Sequence, residues 1–135
     1  MGSSRVEDSS RRAMGALSLA YVGDAVYELL VRTRLLQQGD KPVSALHRAA
    51  VSYVAAPAQA AALERMMPTL SEAELRVVAR GRNVHTHAVP SGSTHAQYHA
   101  ATALEALFGW LWLAGEDERI EELFALACEA REGTK

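Results

Sequence analysis

Leu17-Ser18-Leu19-Ala20-Tyr21-Val22-Gly23-Asp24-Ala25-Val26-Tyr27-Glu28 is the stretch that decides the fold of this chain. Leu19, Val22 and Val26 recur three or four residues apart, and Leu29, Leu30 and Leu36 continue the spacing, which is the period of a helix. Tyr21, Asp24 and Glu28 fall on one stripe of that helix. Asp24 is a carboxylate set among core-type residues. A second stretch repeats the pattern: Ala101-Thr102-Ala103-Leu104-Glu105-Ala106-Leu107-Phe108-Gly109-Trp110 carries Glu105. An acid in such company is costly unless it is paired or holds a metal. Two such acids, distant in sequence, can meet across a helix pair and hold a hard divalent cation. On the residues alone, each is also compatible with an ion pair to a neighbouring Arg or Lys.

Working outward, Gly39-Asp40-Lys41-Pro42 ends the first helix, which is predicted over 13–38. Ser44 is placed to cap a helix to Val54, and Pro57 suits the first turn of another running to Met66 or Met67, where Pro68 stops it. Ser71 and Glu74 form a capping box for a helix to Arg80, closed by Gly81. Residues 82–97 read as one long loop, followed by helices over 97–113 and 117–130. The predicted architecture is an all-α bundle of about six to seven helices. Residues 1–11 are polar and read as a disordered or vector-derived leader, with one domain over 12–132.

Half of the 135 residues are hydrophobic (49%) and 6% aromatic, enough for a real core. The lone Cys128 excludes an internal disulfide and a cysteine-built zinc site and suits a reducing cytoplasm. No run reaches membrane-spanning length and no secretory signal is evident. Net charge is −2, but its distribution is uneven. Between Leu75 and Leu104 there is no acid, while Arg76, Arg80, Arg82, His85, His87, His95 and His99 fall there. Acids crowd the stretch from Glu116 to Glu132. A basic region of this kind, with a glycine- and serine-rich loop, is a candidate phosphate contact. His85-x-His87 and His95-x-x-x-His99 also raise a zinc-binding alternative.

The Gly23-Asp24-Ala25 step resembles the signature helix of the ribonuclease III endonuclease domain, and Glu105-Ala106-Leu107-Phe108-Gly109 resembles its second acid motif. More closely, the span from about Leu17 to Leu126 is similar to the Mini-ribonuclease III family. Leu46-His47-Arg48-Ala49, Ala58-Gln59-Ala60, Arg80-Gly81-Arg82-Asn83 and Phe108-Gly109-Trp110-Leu111-Trp112-Leu113 match its pattern in order. Two acids of full-length ribonuclease III are replaced here by Ala20 and Thr102, and no double-stranded-RNA-binding domain follows, as in Mini-ribonuclease III.

The resemblance implies a cytoplasmic Mg²⁺-dependent endoribonuclease, with Mn²⁺ able to substitute. It would cut double-stranded or structured RNA to leave a 5′-phosphate and a 3′-hydroxyl. It implies Asp24 and Glu105 as metal-binding catalytic residues and Arg80, Arg82, Asn83, His85, His47 and Arg48 as RNA contacts. It further implies a homodimer acting on the large-subunit (23S) ribosomal RNA precursor, with a ribosomal-protein helper conceivable. The surplus apolar positions Tyr27, Leu30 and Val31 are the expected dimer face. Glu28 is expected to pair with Arg32, and Trp110 and Trp112 to pack in the core or between subunits. The competing reading is a non-catalytic helical module that binds duplex RNA without cutting it.

Overall fold

The computed structural model describes residues 3–84 and 93–132. The helices are α1 (Asp8–Ala13), α2 (Ala16–Gln37), α3 (Val43–Val54), α4 (Ala56–Met66), α5 (Glu72–Arg82), α6 (His95–Leu113) and α7 (Asp117–Glu132), with a 3₁₀ turn at Met67–Thr69. No strand occurs among the described residues.

Helix α6 is the axis of the bundle. It is apolar around nearly its whole circumference, from Ala100 to Leu111, which is the pattern of a helix enclosed by neighbours. Helices α2, α4, α5 and α7 pack around it, α2 most extensively. Small residues at the crossings let the backbones touch: a Cβ on Gly109 would lie 1.9 Å from the Leu19 carbonyl oxygen. Farther along α2, the Tyr27 ring meets Phe108 of α6 and Phe124 of α7 edge-on, with centroids 5.2 and 5.5 Å away.

Local details depart from the sequence reading where tertiary contacts outweigh local signals. Gly81 does not end α5, which continues to Arg82. It is buried because a side chain there would meet Ala103 of α6, 2.5 Å from its Cα. Ser44 caps nothing; Pro42 holds the N-cap position of α3 and no side chain bonds there. Helix α6 starts earlier than expected, at His95, because Thr94 and Gln97 form a reciprocal capping box with both bonds at 3.0 Å.

The polar N-terminal segment is docked rather than loose. The amides of Arg5 and Val6 donate to the Leu113 carbonyl at 2.8 and 3.0 Å, satisfying the end of α6. The Arg5 guanidinium lies 3.5 Å over the Trp112 ring and pairs with Asp117 at 2.9 Å. Arg11 is buried against Trp110 and donates to the Val6 carbonyl at 2.6 Å. Among the described residues, no helix is long and apolar enough to cross a membrane.

Candidate active site

The acid pair is assembled by the α2–α6 crossing. Gly23 backs onto the main chain of Glu105, so its successor Asp24 projects beside the Glu105 side chain. The two carboxyl groups lie in hydrogen-bonding contact. Burial and then the neighbouring Asp24 charge push Glu105 up to about 7, and Glu28, one turn along α2, adds to the repulsion. The Gln59 amide of α4 acts in the opposite sense. Among the described residues, the formal charges acting on Glu105 are all negative.

The pair is asymmetric. Glu105 is half-buried, whereas Asp24 is exposed, not enclosed among core residues as its sequence neighbours suggested. The reason is that Asp24 lies on the outer face of α2, where it lines an apolar groove of about 640 Å³ with Tyr21, Val22, Leu29, Trp112 and Ile120. Glu28 pairs with Arg32 at 3.6 Å, as the i,i+4 spacing predicted. The positions of the two missing family acids, Ala20 and Thr102, are buried. The Thr102 hydroxyl is turned back to the Tyr98 carbonyl at 3.1 Å.

Among the described residues, no group of three or more His, Cys, Asp or Glu side chains gathers as a metal cage. Two carboxylates pressed together nonetheless form a donor set that suits Mg²⁺, an ion that keeps several waters and takes only one or two protein carboxylates. His95 and His99 stack at 6.5 Å without a third ligand beside them among those residues.

The expected RNA contacts are scattered. Arg82 and Asn83 are exposed at the end of α5, where the chain enters residues 85–92. His85 lies outside the described residues, as does His87. Arg80 points elsewhere: it donates to the Met14 carbonyl and lines a cavity of about 270 Å³ with Arg12, Arg76, Val77 and Trp110. Arg76 belongs to the basic region read from the sequence; Arg12 escaped that reading because nothing local indicates that α1 and α5 converge there. His47 and Arg48 are exposed on α3. His47 lies against Leu35 and Leu36, the latter about 18 Å along α2 from Asp24 at ~1.5 Å per residue, so it does not join the acid pair.

The sequence model of the Ribonuclease III domain matches residues 17–116. The chain belongs to the Mini-ribonuclease III family. It is 50% identical over 113 residues to the Mini-ribonuclease 3 of Symbiobacterium thermophilum, covering 84% of this chain and 87% of that protein. It is 42% identical over 120 residues to that of a Thermoanaerobacter species, covering 89% and 84%. A crystal structure of a Fusobacterium nucleatum protein superposes with a TM-score of 0.79 at 30% identity, covering 85% of this chain and 93% of that one. Family membership makes this Mini-ribonuclease III chain an endoribonuclease.

Proposed function

We propose that the chain hydrolyses phosphodiester bonds of double-stranded RNA with Mg²⁺ held between Asp24 and Glu105. The observation that carries this reading is the contact between these two carboxyl groups, 81 residues apart in sequence, with no charged group but Asp24 and Glu28 acting on Glu105 among the described residues. Bound Mg²⁺, or Mn²⁺ in its place, would supply a water of lowered pKa and neutralise charge on the leaving oxygen. Asp24, on the exposed side, faces the substrate and orients the attacking water. Glu105, set deeper, holds its partner's geometry and gives up its proton as the site is filled. Arg82 and Asn83 position phosphates from the end of α5, and Arg80 with Arg12 and Arg76 offers a second basic patch.

A single acid pair serves one strand. The groove beside Asp24, with Tyr21 83% and Leu29 62% exposed at its edge, supports a homodimer that sets two acid pairs toward one duplex. A ribosomal RNA precursor in the bacterial cytoplasm, presented with or without a ribosomal protein, is the substrate this reading favours. The test is incubation of structured RNA with Mg²⁺ or EDTA, with Asp24→Asn beside the wild type. Cleavage that requires both Mg²⁺ and Asp24 is expected. Unchanged RNA with a retained gel shift would replace the reading with a non-cutting duplex binder.

A further inference from the structure

Gln59 is the one polar residue on the buried stripe of α4, which otherwise consists of Ala62, Leu63 and Met66. It is 1% exposed. Its Nε2 is buried and completes no hydrogen bond among the described residues. An orphaned amide donor of this kind is costly, and an apolar residue of similar size would remove that cost. An amide at this buried position is therefore suited to a strong acceptor beside it. The group beside it is the Glu105 side chain, whose charge it stabilises.

We propose that Gln59 is a positioning residue: its Nε2 donates to one oxygen of Glu105 once a divalent cation occupies the acid pair, aiming the other oxygen at the ion. The inference rests on the metal reading above and adds a role for α4. Carboxylates that ligate metals are commonly oriented by outer hydrogen bonds, and removing such a bond lowers metal affinity by ~10–100-fold. The Glu105 carboxyl interacts with both the Gln59 amide and Asp24, and the Gln59 Nε2 completes no hydrogen bond. When both carboxylates are ionised around a cation, the acceptor becomes stronger and the bond is charge-assisted. Helix α4, which carries Gln59, packs directly on α6, which carries Glu105.

The test is Gln59→Leu, with Mn²⁺ affinity measured by calorimetry on the RNA-free protein and thermal unfolding measured with and without metal. The expected result is a metal-free melting temperature equal to or above wild type and an Mn²⁺ affinity ~10–100-fold weaker. Activity should be recovered by raising the metal concentration, at near-normal KM for RNA. In a Glu105→Gln background the same substitution should lower affinity by less than twofold, because the residue to be aimed is gone. An unaltered Mn²⁺ affinity in Gln59→Leu, or an equal loss in both backgrounds, overturns the inference. If Gln59→Leu is too unstable to assay, Gln59→Met replaces it with an unbranched side chain of similar length. Failure of the wild type itself to bind Mn²⁺ would instead defeat the metal reading.

Discussion

Gly23 approaches the Glu105 carbonyl so closely that a Cβ on it would sit 1.5 Å from the oxygen and 2.5 Å from the carbonyl carbon. The glycine that precedes Asp24 thus serves as a spacer of zero width between two helices; its backbone is ordinary helix. Gly23→Ala must push α2 off α6 along backbone, which cannot yield as a flexible side chain would. The expected cost is at least about 1–3 kcal/mol, the usual range for overpacking, read as a lower urea midpoint. Activity should fall further than stability, since separating the helices separates Asp24 from Glu105. Gly15→Ala, with nothing within 4 Å of the added carbon, is the control and should change neither. A Gly23→Ala protein with wild-type stability would show that the crossing is looser than described.

The same crossing makes the metal-free protein sensitive to pH. The Glu105 carboxyl titrates at about 7 in the folded chain against an ordinary value of 4.5. The folded state therefore binds more protons than the unfolded state between these values, and stability falls as pH rises through the window. The loss is on the order of 1–3 kcal/mol. Glu105→Gln should fold normally, flatten that slope in EDTA and raise the melting temperature at pH 7, while abolishing cleavage. Mg²⁺ should stabilise the wild type at neutral pH and stabilise Glu105→Gln much less, since only Asp24 is left to hold the ion. A steep EDTA slope that persists in Glu105→Gln would assign it to some other group.

At the acid end a different carboxylate governs. Burial pushes Glu74 up, but the Arg119 guanidinium, with both bonds at 2.9 Å, and the Ser71 amide and hydroxyl outweigh it and hold the carboxyl below its usual value. Stability from this group is present above the ordinary carboxylate range and is lost as pH falls through the lowered folded value. The cluster ties the start of α5 to α7 and to the Thr69 carbonyl, where Arg119 donates at 2.8 Å. Glu74→Gln should cost about 1–3 kcal/mol at pH 7 and much less at pH 3. Equal destabilisation at the two pH values would contradict the ionic part of this account.

Most of the fold was legible because apolar residues recur at helical spacing along α2, α6 is one long, largely apolar run, and Ser71 and Glu74 form an unambiguous capping box. What was not legible depends on partners distant in sequence. Helix α1 is polar and aperiodic, and it is held by Arg5 and Arg11 lying over Trp112 and Trp110, roughly a hundred residues away. Gly81 reads locally as a helix terminator, yet Ala103 makes it a contact point. The acid pair was legible through its motifs, but the sequence placed Asp24 inside the core, whereas it faces the groove. Gln59 had a visible signal, a polar residue on an otherwise apolar stripe.

For RNA binding, the structure separates two arginines that sequence grouped. Arg82 is exposed at the end of α5, so Arg82→Ala should weaken duplex affinity at fixed salt and reduce the salt slope by about one counterion. Arg80 also donates to Met14. Arg80→Ala should therefore carry an added stability cost of about 0.5–1.5 kcal/mol. The double variant should lose affinity more than it slows the bound reaction, seen as a rise in KM larger than the fall in kcat. A fall in kcat alone would place these side chains at the reacting phosphate.

The expected dimer face must be redrawn, and this yields the last prediction. Tyr27 and Val31 are core residues at 1% and 0% exposure and have no surface to offer a second subunit. Of the exposed apolar residues on α2 (Leu17, Tyr21, Leu29 and Leu36), Tyr21 and Leu29 flank the groove that Asp24 lines, and half-buried Leu30 of the expected face lines it too. Burying them against a second copy removes apolar area from water at about 25 cal/mol per Å² and brings two acid pairs to the same junction. Tyr21→Asp and Leu29→Glu should each shift sedimentation from dimer toward monomer at micromolar concentration, because a charge would be buried without a partner. Both variants should keep the wild-type melting temperature of the monomer. Cleavage of duplex should fall in step with the monomer fraction and recover as protein concentration rises. Variants that sediment as the wild type does would move the subunit contact off this face of α2.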